Sequence, residues 1–114
     1  MSYLKLAKRI MNDELSSEEL VKNLETPNVI VLQQVILKLI QHNIKSDFIC
    51  RKLIEYSNFM DRKFKILGPC KLGHLAIYSL KELGYTKEYK QIYTNLGKED
   101  LHLVDLIDKS IKTI

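Results

Sequence analysis

Tryptophan is absent from this chain, and 114 residues hold only four glycines, two prolines and two cysteines. So few turn-formers argue against a collagen, a low-complexity linker or a loop-rich all-β fold. No apolar run approaches the roughly 18 residues that cross a bilayer. The start, MSYLKLAKRIMNDEL, reads as an amphipathic helix rather than a secretory leader, because Lys5, Lys8 and Arg9 interrupt its apolar positions. A Gly-rich phosphate loop, an HExxH zinc motif and a nucleophile elbow are all missing. The expectation is a cytoplasmic protein that is not an enzyme, does not enter a membrane and carries no cofactor or metal. Cys50 and Cys70 suit that compartment as free thiols, since a core of this size needs no bridge.

What is present is an ordinary globular balance, 46% hydrophobic and 28% charged. One domain, 1–114, follows from the length, and it should bury about two-thirds of the surface its unfolded chain exposes. Abundant Lys and Ile with hardly any Ala point to an AT-biased bacterial genome. The net charge of +4 is too mild to imply nucleic acid by itself. Its distribution says more: Asp13, Glu14, Glu18, Glu19 and Glu25 make the early part acidic, and Arg62, Lys63, Lys65 and Lys71 make the middle basic.

Periodicity near 3.6 predicts seven helices. The first covers 3–11, with Leu4, Ala7, Ile10 and Met11 on one face. Ser16 or Ser17 caps the second, Ser16 having Glu19 three positions on as a capping box. That helix ends at Thr26, because Pro27 disfavours helical geometry in the residue before it. Pro27 then sits at or near the first turn of the third helix. This one runs to about 42 and is apolar over most of its circumference, the mark of a central helix. Ser46 opens the fourth, which runs to about 56. A long connection follows at 57–69, and its short extended stretch 64–67 reads as a loop or a single turn. The fifth helix spans 71–83, with Gly84 as the left-handed residue past its end. The sixth spans 86–95 and the seventh 99–112.

Helix pairs three–four and five–six share a layout. Sliding the chain by 41 residues places Ile36 on Ile77, Leu39 on Leu80, Ile44 on Tyr85 and Phe48 on Tyr89. Sliding by 40 places Ile49 on Tyr89 and Leu53 on Tyr93, as if one residue were gained or lost between. Two helices per roughly 40 residues is the period of a helical solenoid, whose units bury their faces by stacking. The units are about 27–57 and 69–97, flanked by capping helices 2–25 and 99–113. The rival architecture is an irregular helical bundle.

The segment 74–84, HLAIYSLKELG, resembles the second half of a HEAT-type repeat through Ala76, Leu80, Leu83 and Gly84. Asp61 and Arg62 resemble the aspartate and basic residue that often precede it, although Gly68-Pro69 lengthens the connection between them. The resemblance covers about 27–111 and extends to the related armadillo-type repeats. It implies an all-α, α-α superhelix of stacked helical hairpins. It also implies a surface that binds other proteins. Some relatives instead cradle DNA on a basic concave face, and a few of those remove alkylated bases.

Three groups of residues are candidates for function. Arg62, Lys63, Lys65 and Lys71 surround Phe64 and Ile66 beside a helix start, with Arg51 and Lys52 extending the patch. Lysines there could meet phosphates and Phe64 could stack on a base. The plainer reading is a solvated loop with Phe64, Ile66 and Leu67 plugging it onto the core. Tyrosines form the second group: Tyr78 on the outer side of its helix and Tyr93 near an inner face join Phe64 as a candidate partner surface. Tyr56, Tyr85 and Tyr89 are expected to pack between repeats. Third, Cys70 and His74 stand one helical turn apart and share a face. As metal ligands they would need His42 or His102 to come round; the plainer reading is a packed cysteine and a partly exposed histidine. The expected function is a non-enzymatic protein-binding or regulatory module, a neutralising or modulating partner of a larger protein, or a homodimer. The alternative is binding of a nucleic-acid backbone through 62–71.

Overall fold

The computed structural model describes residues 2–112 and is all-α apart from one short hairpin. Side-chain caps set most helix starts. Ser2 opens α1 (Tyr3–Met11) and Ser46 opens α4 (Asp47–Tyr56). Ser16 opens α2 (Ser17–Lys22) through the expected reciprocal box with Glu19. At α3 (Val29–Gln41) the start is shifted. The Asn28 side chain accepts the Val31 amide at 3.1 Å, leaving Pro27 outside the helix. Asn is among the strongest N-caps, and its free amide orphan is satisfied there at once. The remaining helices are α5 (Leu72–Glu82), α6 (Thr86–Tyr93) and α7 (Lys98–Lys112). The expected end of the last helix at 113 lies outside the described residues.

The connection after α4 is more ordered than a loop. A 3-10 turn, Arg62–Phe64, leads into β1 (Lys65–Leu67), which pairs antiparallel with β2 (Cys70–Lys71) around Gly68-Pro69. Helix α5 then starts with no spacer. Its second residue, Gly73, donates to the Phe59 carbonyl at 3.0 Å. A methyl group at Gly73 would stand 2.8 Å from the Met60 sulfur and 2.9 Å from the Ser57 carbonyl oxygen, so the backbone approach excludes a side chain.

End contacts show that α1, α3, α5 and α7 run in the same sense. Asp13, just past α1, bonds Lys38 and His42 near the end of α3, while Tyr3 and Leu6 meet Thr26 and Pro27 just before its start. The turns that follow α3 and α5 touch through Ser46 and Tyr85, and the starts of both helices lie near Phe59. At the start of α7, Asp100 bonds His74 at the start of α5. Between these parallel helices the chain returns through α2, α4 and α6.

The turns after α3 and α5 are built alike. Asn43 and Gly84 take left-handed φ angles of 53° and 85°. The Ile44 amide donates to Leu39 and the Tyr85 amide to Leu80, each at 2.9 Å, which is a Schellman closure in both cases. The helices beyond the turns pack differently. Helix α6 lies along α5, whereas α4 also lies along α5 and makes little contact with α3.

Helix α5 is enclosed by α3, α4, α6 and α7, and every residue from Leu72 to Leu80 is buried. The most central helix is therefore α5, where the sequence pointed to α3. Helix α7 folds over α5 and leaves Ile30 and part of Leu37 on α3 open.

Candidate partner surface

Helix α1 is an edge helix whose main neighbour is α3. Ala7 and Ile10 face that neighbour and are buried. Leu4 and Met11, expected on the same inner face, are 64% and 54% exposed, and Tyr3 is exposed beside them. Lying seven residues apart, Leu4 and Met11 share one outward stripe of the helix. Ile30 is exposed at the start of α3, and Thr26 and Pro27 just before that helix line a pocket with Tyr3 and Leu6 of α1.

An apolar groove opens between α3 and α7. Its deep part holds about 110 Å³ and is walled by Gln33, Leu37, Ile66, Leu75, Ile107 and Ile111. A shallower part of about 450 Å³ continues along Leu37, Ile40, Gln41 and Ile111. Ile66 reaches this wall because β1 turns one side of the hairpin onto the core, as expected for Ile66. The side chain of Leu67 lies outside the described residues.

The basic residues are only partly brought together. Strand register sets Lys65 directly opposite Lys71, a like-charge pair that opposes itself. Arg62 and Lys63 lead into the same hairpin and are exposed; the Lys63 ammonium sits 5.2 Å from the Phe64 ring centre. Arg51 is exposed on α4, about 100° round the helix from Lys52. Lys52 is neutralised: its ammonium bonds Glu55 at 3.1 Å, which raises its pKa.

Two of the three aromatic candidates stay at the surface. Phe64 is half-buried and packs on Phe59 with ring centres 4.4 Å apart, and Tyr93 is half-buried against Tyr89 at 5.1 Å. The third is corrected. Tyr78 is 2% exposed, because α7 and the side chains around Glu82 cover the face of α5 that the sequence left outward. Burial, with Glu82 and Asp108 nearby, pushes its hydroxyl pKa far up. Tyr56 is buried, but its hydroxyl donates to the Leu24 carbonyl, in the segment before the first of the two expected units rather than between them.

His74 is also corrected, from partly exposed to fully buried. Its Nδ1 accepts the Lys71 amide at 3.0 Å and its Nε2 meets Asp100 at 2.9 Å. Both nitrogens are thus committed to structure, with the proton on Nε2. Cys70 is buried and its thiol faces the Leu103 carbonyl at 3.6 Å, with its pKa raised by burial. The pair is therefore not poised as thiolate and imidazole. His42 is taken up by Asp13, at 2.9 Å, and among the described residues no three His, Cys, Asp or Glu side chains converge as a metal cluster.

The periodic signal missed one polar cluster. Asp13, in the left-handed region with φ 58°, accepts His42 Nε2 at 2.9 Å and Lys38 Nζ at 3.0 Å. Lys38, nearly buried, also donates to Gln41. Hydrogen bonds from His42 and then Lys38 hold the Asp13 carboxyl below its ordinary pKa. The sequence trace was Lys38, the one charged residue of α3. No family model, no curated protein and no solved structure matches this chain.

Proposed function

We propose that this chain is a non-enzymatic protein-binding or regulatory module on a short HEAT-like superhelix. The observation that carries the reading is the set of large apolar side chains left open on α1 and the start of α3: Tyr3, Leu4, Met11 and Ile30. A terminal unit of a stacked array ordinarily turns a polar face outward. Apolar side chains gathered on adjacent helices mark a partner site more often than an idle surface. The parallel α1, α3 and α5, and the matching turns at Asn43 and Gly84, support the repeat architecture. Affinity capture from the source cell tests the reading. A partner should be retained by the wild type and lost by the Leu4→Asp/Met11→Asp double variant with unchanged circular dichroism. Equal capture by both proteins overturns it.

The facing Lys65 and Lys71 favour one second reading, binding of a nucleic-acid backbone through the hairpin. Such binding would weaken steeply with salt. Loss of DNA or RNA affinity in Lys65→Glu, with none in Leu4→Asp, would favour it over the first.

A further inference from the structure

We propose that the cleft between the start of α3, the end of α4 and the turn before β1 receives an arginine side chain of a partner protein. The inference rests on the protein-binding reading and names what the partner presents.

The cleft holds about 340 Å³, at the small end of the roughly 300–1,000 Å³ typical of ligand sites. Three aromatic rings line it in series. Tyr56 meets Phe59 edge-on with ring centres 5.0 Å apart, and Phe59 lies against Phe64 at 4.4 Å. Two carboxylates line the same cleft from different elements, Glu55 on α4 and Glu25 in the 3-10 turn Asn23–Glu25. The Tyr56 hydroxyl bonds the Leu24 carbonyl, which ties the turn carrying Glu25 to the ring. Rings and carboxylates are therefore in place before a partner arrives, which lowers the cost of binding.

The protein's own cations show what this arrangement attracts. The Lys52 ammonium lies 5.7 Å from the Tyr56 ring centre and 3.1 Å from Glu55. The bond to Glu55 favours its charged form, and the charge of Glu25 adds to this. Lys63, outside the lining, sits over Phe64. Glu55 is taken up by Lys52, but among the described residues Glu25 makes no ion pair. Glu25 and Glu55 against Lys52 leave the lining one negative charge in excess. A guanidinium answers both parts of this surface, because it is planar and weakly hydrated, stacks on ring faces and bonds carboxylates in pairs. Glu25, Thr26 and Pro27 also line the depression that reaches Tyr3 and Leu6 of α1. The cleft thus shares a wall with the surface carrying Tyr3, and a chain seated there can turn an arginine into it.

An alanine-flanked arginine peptide and its neutral citrulline twin, titrated into the full-length protein and followed by two-dimensional NMR, test this. The arginine peptide should shift the amides of Glu25, Lys52, Glu55 and Phe64 with a dissociation constant of about 1 mM, as suits a single side chain. The citrulline peptide should bind at least about fivefold more weakly. Glu25→Gln should weaken the arginine peptide several-fold. Lys52→Met, which removes the competing ammonium and frees Glu55, should strengthen it several-fold. Absence of shifts at the cleft, equal binding of the citrulline peptide, or unchanged affinity in both variants overturns the proposal. In affinity capture, Glu25→Gln should also lower retention of the partner. Full retention by Glu25→Gln, with loss in the Leu4→Asp/Met11→Asp variant, overturns the cleft proposal alone and leaves the protein-binding reading standing. With peptide binding intact, that outcome would assign the cleft to a free guanidine or amine.

Discussion

The Tyr85 hydroxyl accepts the Ser46 amide and donates to the Ser46 carbonyl, both at 2.9 Å. One side chain from the turn after α5 thereby ties down the backbone of the turn after α3. Tyr85→Phe removes both bonds and keeps the ring. Because Ser46 is exposed and water can replace the hydroxyl, the loss should be about 1 kcal/mol. Urea denaturation should show a lower midpoint with an unchanged slope; no shift would mean the tie contributes nothing.

Gly73→Ala should cost more, about 1–3 kcal/mol, as an overpacking change. The Met60 thioether can swing aside, but the Ser57 carbonyl is backbone and cannot move without disturbing the end of α4. Thermal unfolding monitored by circular dichroism reads the effect. An alanine variant as stable as the wild type would show that the approach of the two segments is slack.

Asp13→Asn tests the polar cluster through pH. The folded pKa of Asp13 lies below its ordinary value, so the unfolded chain binds the proton first as pH falls. Its contribution is full above about pH 5 and is lost as pH drops through the lowered value. The wild type should exceed the variant in stability at pH 7, and the gap should close toward about pH 2. Asparagine tolerates the left-handed backbone at this position, so the comparison isolates charge. A gap independent of pH would contradict the assignment.

Thiol chemistry should separate the two cysteines. Both have pKa values raised by burial, and Cys50 is half-exposed while Cys70 is buried. Under native conditions an aromatic disulfide reagent should modify Cys50 slowly, well behind a free thiol, and Cys70 only after unfolding. Mass spectrometry of the partly modified protein locates the label; rapid reaction at Cys70 would refute its enclosure.

Helix positions were legible in the sequence because their signals are local. Ser16 with Glu19, Ser46, Asn43 and Gly84 each act within four residues of themselves. Burial was less legible, because it depends on what arrives from elsewhere in the chain. Leu4 and Met11 fall on an apolar stripe but face solvent, since an edge helix packs mainly on one neighbour and buries only a narrow face. His74 and Tyr78 are hidden by α7, whose landing place no short-range pattern specifies. The hairpin was only hinted at, because strands of three and two residues are too short to show alternation. The basic patch was visible as composition, yet the Glu55 carboxylate that neutralises Lys52 and the facing of Lys65 with Lys71 emerge only in three dimensions.

The burial of every residue from Leu72 to Leu80 in α5 bears on how the molecule comes apart. The amides of that stretch should reach solvent through departure of the surrounding helices, so those near Ile77 and Leu80 should be the last to take up deuterium. Helix α1, held along one side, should release first. Breathing would then travel inward from the rim that carries Leu4 and Met11, and a partner seated there would slow exchange in parts of the chain it never touches.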